Sequence, residues 1–71
     1  MTDAIRRETG TEEVLCEVRE RVAIITLNRP AAKNALTMDM KEALYLLIRD
    51  LEDDPEVGAF LLRGAGDAFS A

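Results

Sequence analysis

Three groups of residues in the sequence have types and spacing that bear on chemistry. They are the turn Gly64-Ala65-Gly66 leading to Phe69-Ser70-Ala71, the cations Arg29 and Lys33, and the acidic run Asp50, Glu52, Asp53, Asp54 and Glu56. Read as a dinucleotide fingerprint, Gly64-Ala65-Gly66-Asp67-Ala68-Phe69 follows an apolar run as required, but its third glycine position holds Phe69. A lone Gly-x-Gly is weak evidence for a pyrophosphate site. Ser70 has no histidine in the sequence to activate it, so a Ser-His nucleophile is excluded within these residues. The acidic run gathers where a helix is predicted to end. Negative charge is mildly unfavourable there, which suits solvated carboxylates better than an acid/base pair. Arg29 and Lys33 lie four positions apart in one loop, and two cations beside a pocket suit a phosphate. A solvated loop lysine is the competing reading for Lys33.

These groups depend on the elements that carry them. Residues 1–12 are polar, mixed in charge and include Gly10, which predicts a flexible N-terminal arm ahead of a folded segment at 13–71. Val14, Cys16 and Val18 alternate with other positions as in a half-buried strand. Val22-Ala23-Ile24-Ile25-Thr26-Leu27 is apolar and β-branched, the pattern of a strand covered on both faces. Arg19-Glu20-Arg21 between them is placed for a short hairpin turn, although it lacks the favoured Asn-Gly or Asp-Gly. Pro30 ends the second strand.

From Thr37 the period lengthens. Met40, Leu44, Leu47 and Leu51, with Ala43 and Ile48, share one side of a helix of roughly 16 residues, with Thr37 as its N-cap. Pro55 closes it by disfavouring helical geometry at Asp54. Val57 to Arg63 reads as a further apolar strand.

Two strands joined by a helical crossover are expected to run parallel, so the loops leaving them emerge at one edge. Those loops are Asn28–Leu36 and Arg63–Ala71, and ligands of open α/β sheets favour this carboxyl edge. Both readings stay open at this level: a pocket wall, or segments that only turn the chain. One helix covers only one face of a sheet, so the other face is expected to be exposed.

Composition narrows the function classes. The sequence has 71 residues, 9 basic against 14 acidic, for a net charge of −5. That balance disfavours broad contact with nucleic acid or an anionic membrane. The single cysteine, Cys16, forms no internal disulfide and reads as a packed small hydrophobe. With no histidine, the usual zinc patterns are absent, and no metal site is expected. No apolar run approaches the ~20 residues of a membrane span, and the first residues lack a signal-peptide core, which predicts a cytoplasmic protein.

Taken together, the blocks carry a family resemblance. Asn28-Arg29-Pro30, Asn34-Ala35-Leu36, Asp54-Pro55-Glu56-Val57, Gly64-Ala65-Gly66 and Phe69-Ser70-Ala71, in this order and spacing, resemble the opening of the enoyl-CoA hydratase/isomerase (crotonase) superfamily. The resemblance runs from about Val14 to Ala71; a Glu20-Arg21 hairpin in place of Asp-Gly is a minor departure. It implies an α/β fold, the first part of a crotonase-like ββα superhelix made of a β-hairpin, an amphipathic helix and a parallel strand. It implies an acyl-CoA thioester substrate, with coenzyme A as substrate carrier and no permanently bound cofactor, and assembly as homotrimers or hexamers.

The resemblance also implies site residues. The loop from Ala31 to Leu36 would line the coenzyme pocket, with Ala32, Lys33 and Ala35 in its wall and Lys33 near coenzyme phosphates. The backbone of Ser70 and Ala71 would approach the adenine and pantetheine. In the family, Phe-Ser-Ala runs on to Gly-x-Asp, and a backbone N–H there helps to hold the thioester oxygen. That donor would fall two residues beyond Ala71, so none of the catalytic groups is expected among these residues. The alternative is a small non-catalytic interaction module that pairs through its open sheet.

Overall fold

The structure, a computed structural model, describes residues 5–66. Its elements are β1 (Ile5–Arg7), β2 (Val14–Arg19), β3 (Val22–Leu27), a 3₁₀ turn (Pro30–Ala32), α1 (Met38–Glu52) and β4 (Ala59–Gly64). The strands form one mixed sheet in the order β1-β2-β3-β4.

The hairpin sets the register of the core. Val14, Cys16 and Val18 on β2 lie opposite Leu27, Ile25 and Ala23 on β3. All six are buried, because this is the face on which α1 lays Met40, Ala43, Leu47 and Leu51. Each fully buried aliphatic side chain contributes roughly 1.5–3 kcal/mol before ordering entropy is charged against it. The two turn residues both take positive φ, 50° at Glu20 and 69° at Arg21. Such backbone costs about 1–3 kcal/mol per non-glycine residue. Part of that cost is offset by the next strand: the Arg21 carbonyl accepts the N–H groups of Gly58 at 2.7 Å and Ala59 at 3.2 Å.

Helix α1 begins where Thr37 places its Oγ1 to accept the Met40 N–H at 3.1 Å, and Asp39 sits in the positive first turn. It ends at Glu52, one residue shorter than the sequence predicts. At about 1.5 Å per residue, the helix returns the chain past a strand of about 20 Å. β4 then pairs parallel to β3, with Val22 beside Ala59 and Leu27 beside Gly64.

Two expectations need correction. The apolar run of β3 suggested cover on both faces, but only one is covered, as expected from a single helix: Ala23, Ile25 and Leu27 are buried, while Val22, Ile24 and Thr26 are half-buried. Among the described residues, no second layer lies on that side. The lead-in predicted as an arm also contains a strand, since Ile5, Arg6 and Arg7 pair antiparallel with Val18, Glu17 and Cys16. β4 is exposed over most of its length, including Phe60, Leu61 and Leu62.

β1 is also held by charge. The Arg7 Nη2 donates to Asp54 Oδ2 at 2.6 Å, tying the first strand to the end of α1, and the Glu56 N–H donates to Asp54 Oδ1 at 2.8 Å. Asp54 is thus an exception to the expected solvated cluster. The Glu56 N–H, then the Arg7 guanidinium, hold its carboxyl below the usual carboxylate range. A lowered folded-state pKa adds stability above the ordinary carboxylate value, and that stability is lost as pH falls through the lowered one. Denaturant midpoints measured from pH 6 downward should therefore fall more steeply for the native protein than for Asp54→Asn. Equal slopes would show that Asp54 contributes nothing to acid sensitivity.

Candidate functional site: the carboxyl edge of the parallel strand pair

β3 and β4 end side by side at Leu27 and Gly64, so their following loops leave from one rim. Beyond the strands, the ladder continues with the Ala65 N–H donating to the Leu27 carbonyl at 2.8 Å. Gly66 then turns with φ 78°, and a Cβ at this position would lie 3.0 Å from the Pro30 Cβ. A side chain here would have to push the first loop away, so glycine permits both the turn and the close approach.

The first loop is shaped by proline and two left-handed residues. Pro30 opens the 3₁₀ turn, and Lys33 and Asn34 follow with φ 53° and 59°. The Asn34 N–H donates to the Arg29 carbonyl at 2.7 Å, closing the loop on itself. The Asn34 side chain is fully buried: its Oδ1 accepts the Arg29 N–H at 2.8 Å, and its Nδ2 donates to the Ala65 carbonyl at 2.7 Å. The two loops are therefore joined by a side-chain hydrogen bond, and at Gly66 and Pro30 they lie too close to admit a Cβ without a shift.

Of the residues expected to hold coenzyme, Ala32 and Ala35 are half-buried and Lys33 is exposed on this loop. Ser70 and Ala71 lie outside the described residues. Arg29 does not act as a second free cation beside Lys33. Its Nε pairs with Glu13 Oε2 at 3.0 Å, and its Nη1 donates to the Ala35 carbonyl at 2.8 Å. Lys33 makes no ion pair among the described residues. Lys33 is thus the exposed cation of a loop with small side chains at Ala32 and Ala35, while the N–H groups of Ala32, Lys33, Asn34 and Ala35 are donated to carbonyls of the loop itself.

Other candidate groups lie elsewhere. Cys16 is buried in the sheet–helix core, and burial pushes its thiol up, with the Arg7 charge opposing and Glu17 adding to the shift. It packs as a hydrophobe and is not a nucleophile poised at the edge. A hollow of about 430 Å³ lies between β1 and the loop before β2, where Arg6, Arg7, Glu8 and Glu12 present charges of both signs. The sequence reading missed the role of Asn34, which entered only as part of the Asn-Ala-Leu block. Its one visible signal is residue type, since asparagine tolerates left-handed backbone.

A sheet-and-helix unit with joined loops beyond the carboxyl ends of parallel strands belongs to the α/β proteins, whose ligands favour that edge. The family model for enoyl-CoA hydratase/isomerase matches residues 22–71. The chain belongs to this family. It is 43% identical over 60 residues to a probable enoyl-CoA hydratase of Mycobacterium bovis, covering 84% of this chain and 23% of that protein. It is 44% identical over 63 residues to the human mitochondrial 3-hydroxyisobutyryl-CoA hydrolase, covering 87% of this chain and 16% of that protein. The structure of a putative enoyl-CoA hydratase/isomerase from Mycobacterium abscessus superposes with a TM-score of 0.82 at 33% identity, covering 86% of this chain and 25% of the other. The fold is therefore crotonase-like. The chain spans about a quarter or less of the length of these relatives.

Proposed function

We propose that the protein serves an enzyme acting on coenzyme A thioesters, with the loops at 28–36 and 64–66 forming part of the coenzyme-binding wall. The observation that carries this reading is the joining of the two loops at the carboxyl edge, Asn34 Nδ2 to Ala65 O at 2.7 Å, in a chain of the hydratase/isomerase family. In this proposal Ala32, Lys33 and Ala35 line the wall, Ser70 and Ala71 continue it, and Lys33 faces phosphate. Coenzyme A is the carrier of the substrate and not a resident cofactor.

The reaction proposed is stabilisation of a thioester enolate by backbone N–H donors, most simply for addition of water to an enoyl-CoA or for isomerisation. In this proposal none of the 71 residues supplies those donors or the acid/base groups. Hydrolysis is the competing chemistry, because relatives of similar identity include both a hydratase and a hydrolase. Assembly as a homotrimer or hexamer and a cytoplasmic location belong to the same proposal. Among the described residues, no helix is long and apolar enough to cross a membrane.

The test is calorimetric titration of the protein with coenzyme A, and with pantetheine as the ligand lacking the nucleotide. Saturable binding of coenzyme A that pantetheine does not match supports the nucleotide-facing wall. Equal binding of both, or of neither, would overturn it. One observation favours a second reading, an interaction module pairing through its sheet: β4 exposes Phe60, Leu61 and Leu62. Concentration-dependent self-association without coenzyme A binding would select that reading.

A further inference from the structure

One buried amide bridges the two edge loops. Asn34 is 0% exposed, and its side chain spans from the Arg29 N–H to the Ala65 carbonyl, 31 residues apart in sequence from Asn34 itself. The backbone on both sides of it is also fastened. Arg29 holds the Ala35 carbonyl at 2.8 Å and is itself anchored by Glu13 at 3.0 Å. A residue needed only for left-handed backbone would have no reason to be buried or to reach the second loop. Gly66, the residue after the one that Asn34 holds, is where the chain continues toward Ser70 and Ala71.

We propose that Asn34 is a positioning residue for the coenzyme-binding edge: its side-chain amide fixes the spacing and orientation of the first loop wall relative to the second. It touches both walls and leaves contact with the ligand to Lys33, the exposed cation of the first loop. This inference rests on the coenzyme A reading proposed above. The physical reason is the cost of breaking a buried pair. Removing the donor leaves the Ala65 carbonyl without that partner, a loss of the size that separates tenfold steps in binding.

Two substitutions separate the amide from the backbone conformation. Asn34→Asp keeps the side-chain shape and an acceptor for Arg29, but sets a carboxylate oxygen against the Ala65 carbonyl. Asn34→Gly keeps the left-handed conformation at no steric cost and removes the bridge. Both should weaken coenzyme A binding by about tenfold or more under conditions where circular dichroism shows them folded. Both should also accelerate hydrogen exchange of the Ala65 amide, which donates to the Leu27 carbonyl, by about tenfold or more, while the mid-strand amides of β2 and β3 keep their native rates.

Gly66→Ala opens the same seam from its other side, through the 3.0 Å approach to Pro30, and should reproduce the affinity loss without altering the buried amide. It replaces the Asn34 variants in the test if those do not fold. Native affinity and native exchange in Asn34→Gly would overturn the proposal, as would native affinity in Gly66→Ala where that variant stands in. If the unsubstituted protein fails to bind coenzyme A, the functional reading falls. The exchange measurement on Asn34→Gly then decides the loop-joining role by itself.

Discussion

Replacing Ile25 by alanine should cost the protein about 2–5 kcal/mol of folding stability. Ile25 lies in the middle of β3, opposite Cys16 on one neighbour and Leu62 on the other, and is 2% exposed under α1. Its removal leaves a cavity beneath the helix that a sheet held in register on both sides is poorly able to close. At roughly 0.05–0.15 kcal/mol per residue, a chain of this size has only about 4–11 kcal/mol to lose. The appropriate comparison is Leu61→Ala. Leu61 is an aliphatic residue of the same volume on the adjacent strand, but it is 50% exposed on the uncovered face. Denaturant unfolding should show a loss below about 1 kcal/mol for Leu61→Ala. Equal losses would mean that another layer covers β4 in solution and that burial within the described residues does not rank the core.

Reversing the charge at Lys33 is the second large effect. If Lys33 faces phosphate as proposed, Lys33→Glu should weaken coenzyme A binding by about tenfold or more at low salt, because a unit charge beside that phosphate changes sign in an already acidic protein. Lys41→Glu makes the same change in net charge on the exposed surface of α1 and serves as the control. The ratio between the two variants should shrink as salt is raised, since screening falls on an exposed pair. Arg29 cannot compensate, because Glu13 and the Ala35 carbonyl already occupy its guanidinium. If the two variants bind equally well, Lys33 is a solvated loop lysine.

Much of this architecture was legible because periodicity reports local geometry directly. The alternation of Val14, Cys16 and Val18 and the helical spacing of Met40, Leu47 and Leu51 each mark the buried face that the structure shows. Thr37 was readable as a cap and Pro55 as a stop for equally local reasons. The hairpin was legible only in part. Glu20 and Arg21 are poor residues for two positive φ angles, and their turn is supported by bonds to Gly58 and Ala59, remote in sequence. β1 was missed because a three-residue strand has no period to detect, and its pairing depends on β2 and on the Arg7–Asp54 bridge.

The candidate site divides along the same line. Its location followed from the order of strand, helix and strand, since a parallel pair brings its carboxyl ends together whatever the loop sequences are. The residues between those ends were also legible as a family pattern. Which of them would be free and which engaged was not. Arg29 and Lys33 are both loop cations in the sequence, yet folding brings Glu13 against the first and leaves the second exposed. Asn34 is one polar residue among several until β3 and β4 lie together and bring the Ala65 carbonyl within 2.7 Å of its amide. Residue order alone thus determined the buried faces of β2, β3 and α1 and the strand–helix–strand order that sets β3 and β4 parallel, because these depend on neighbours a few positions apart. Only the tertiary structure decided how the edge is fastened, because each of those bonds joins groups that the chain itself holds far apart.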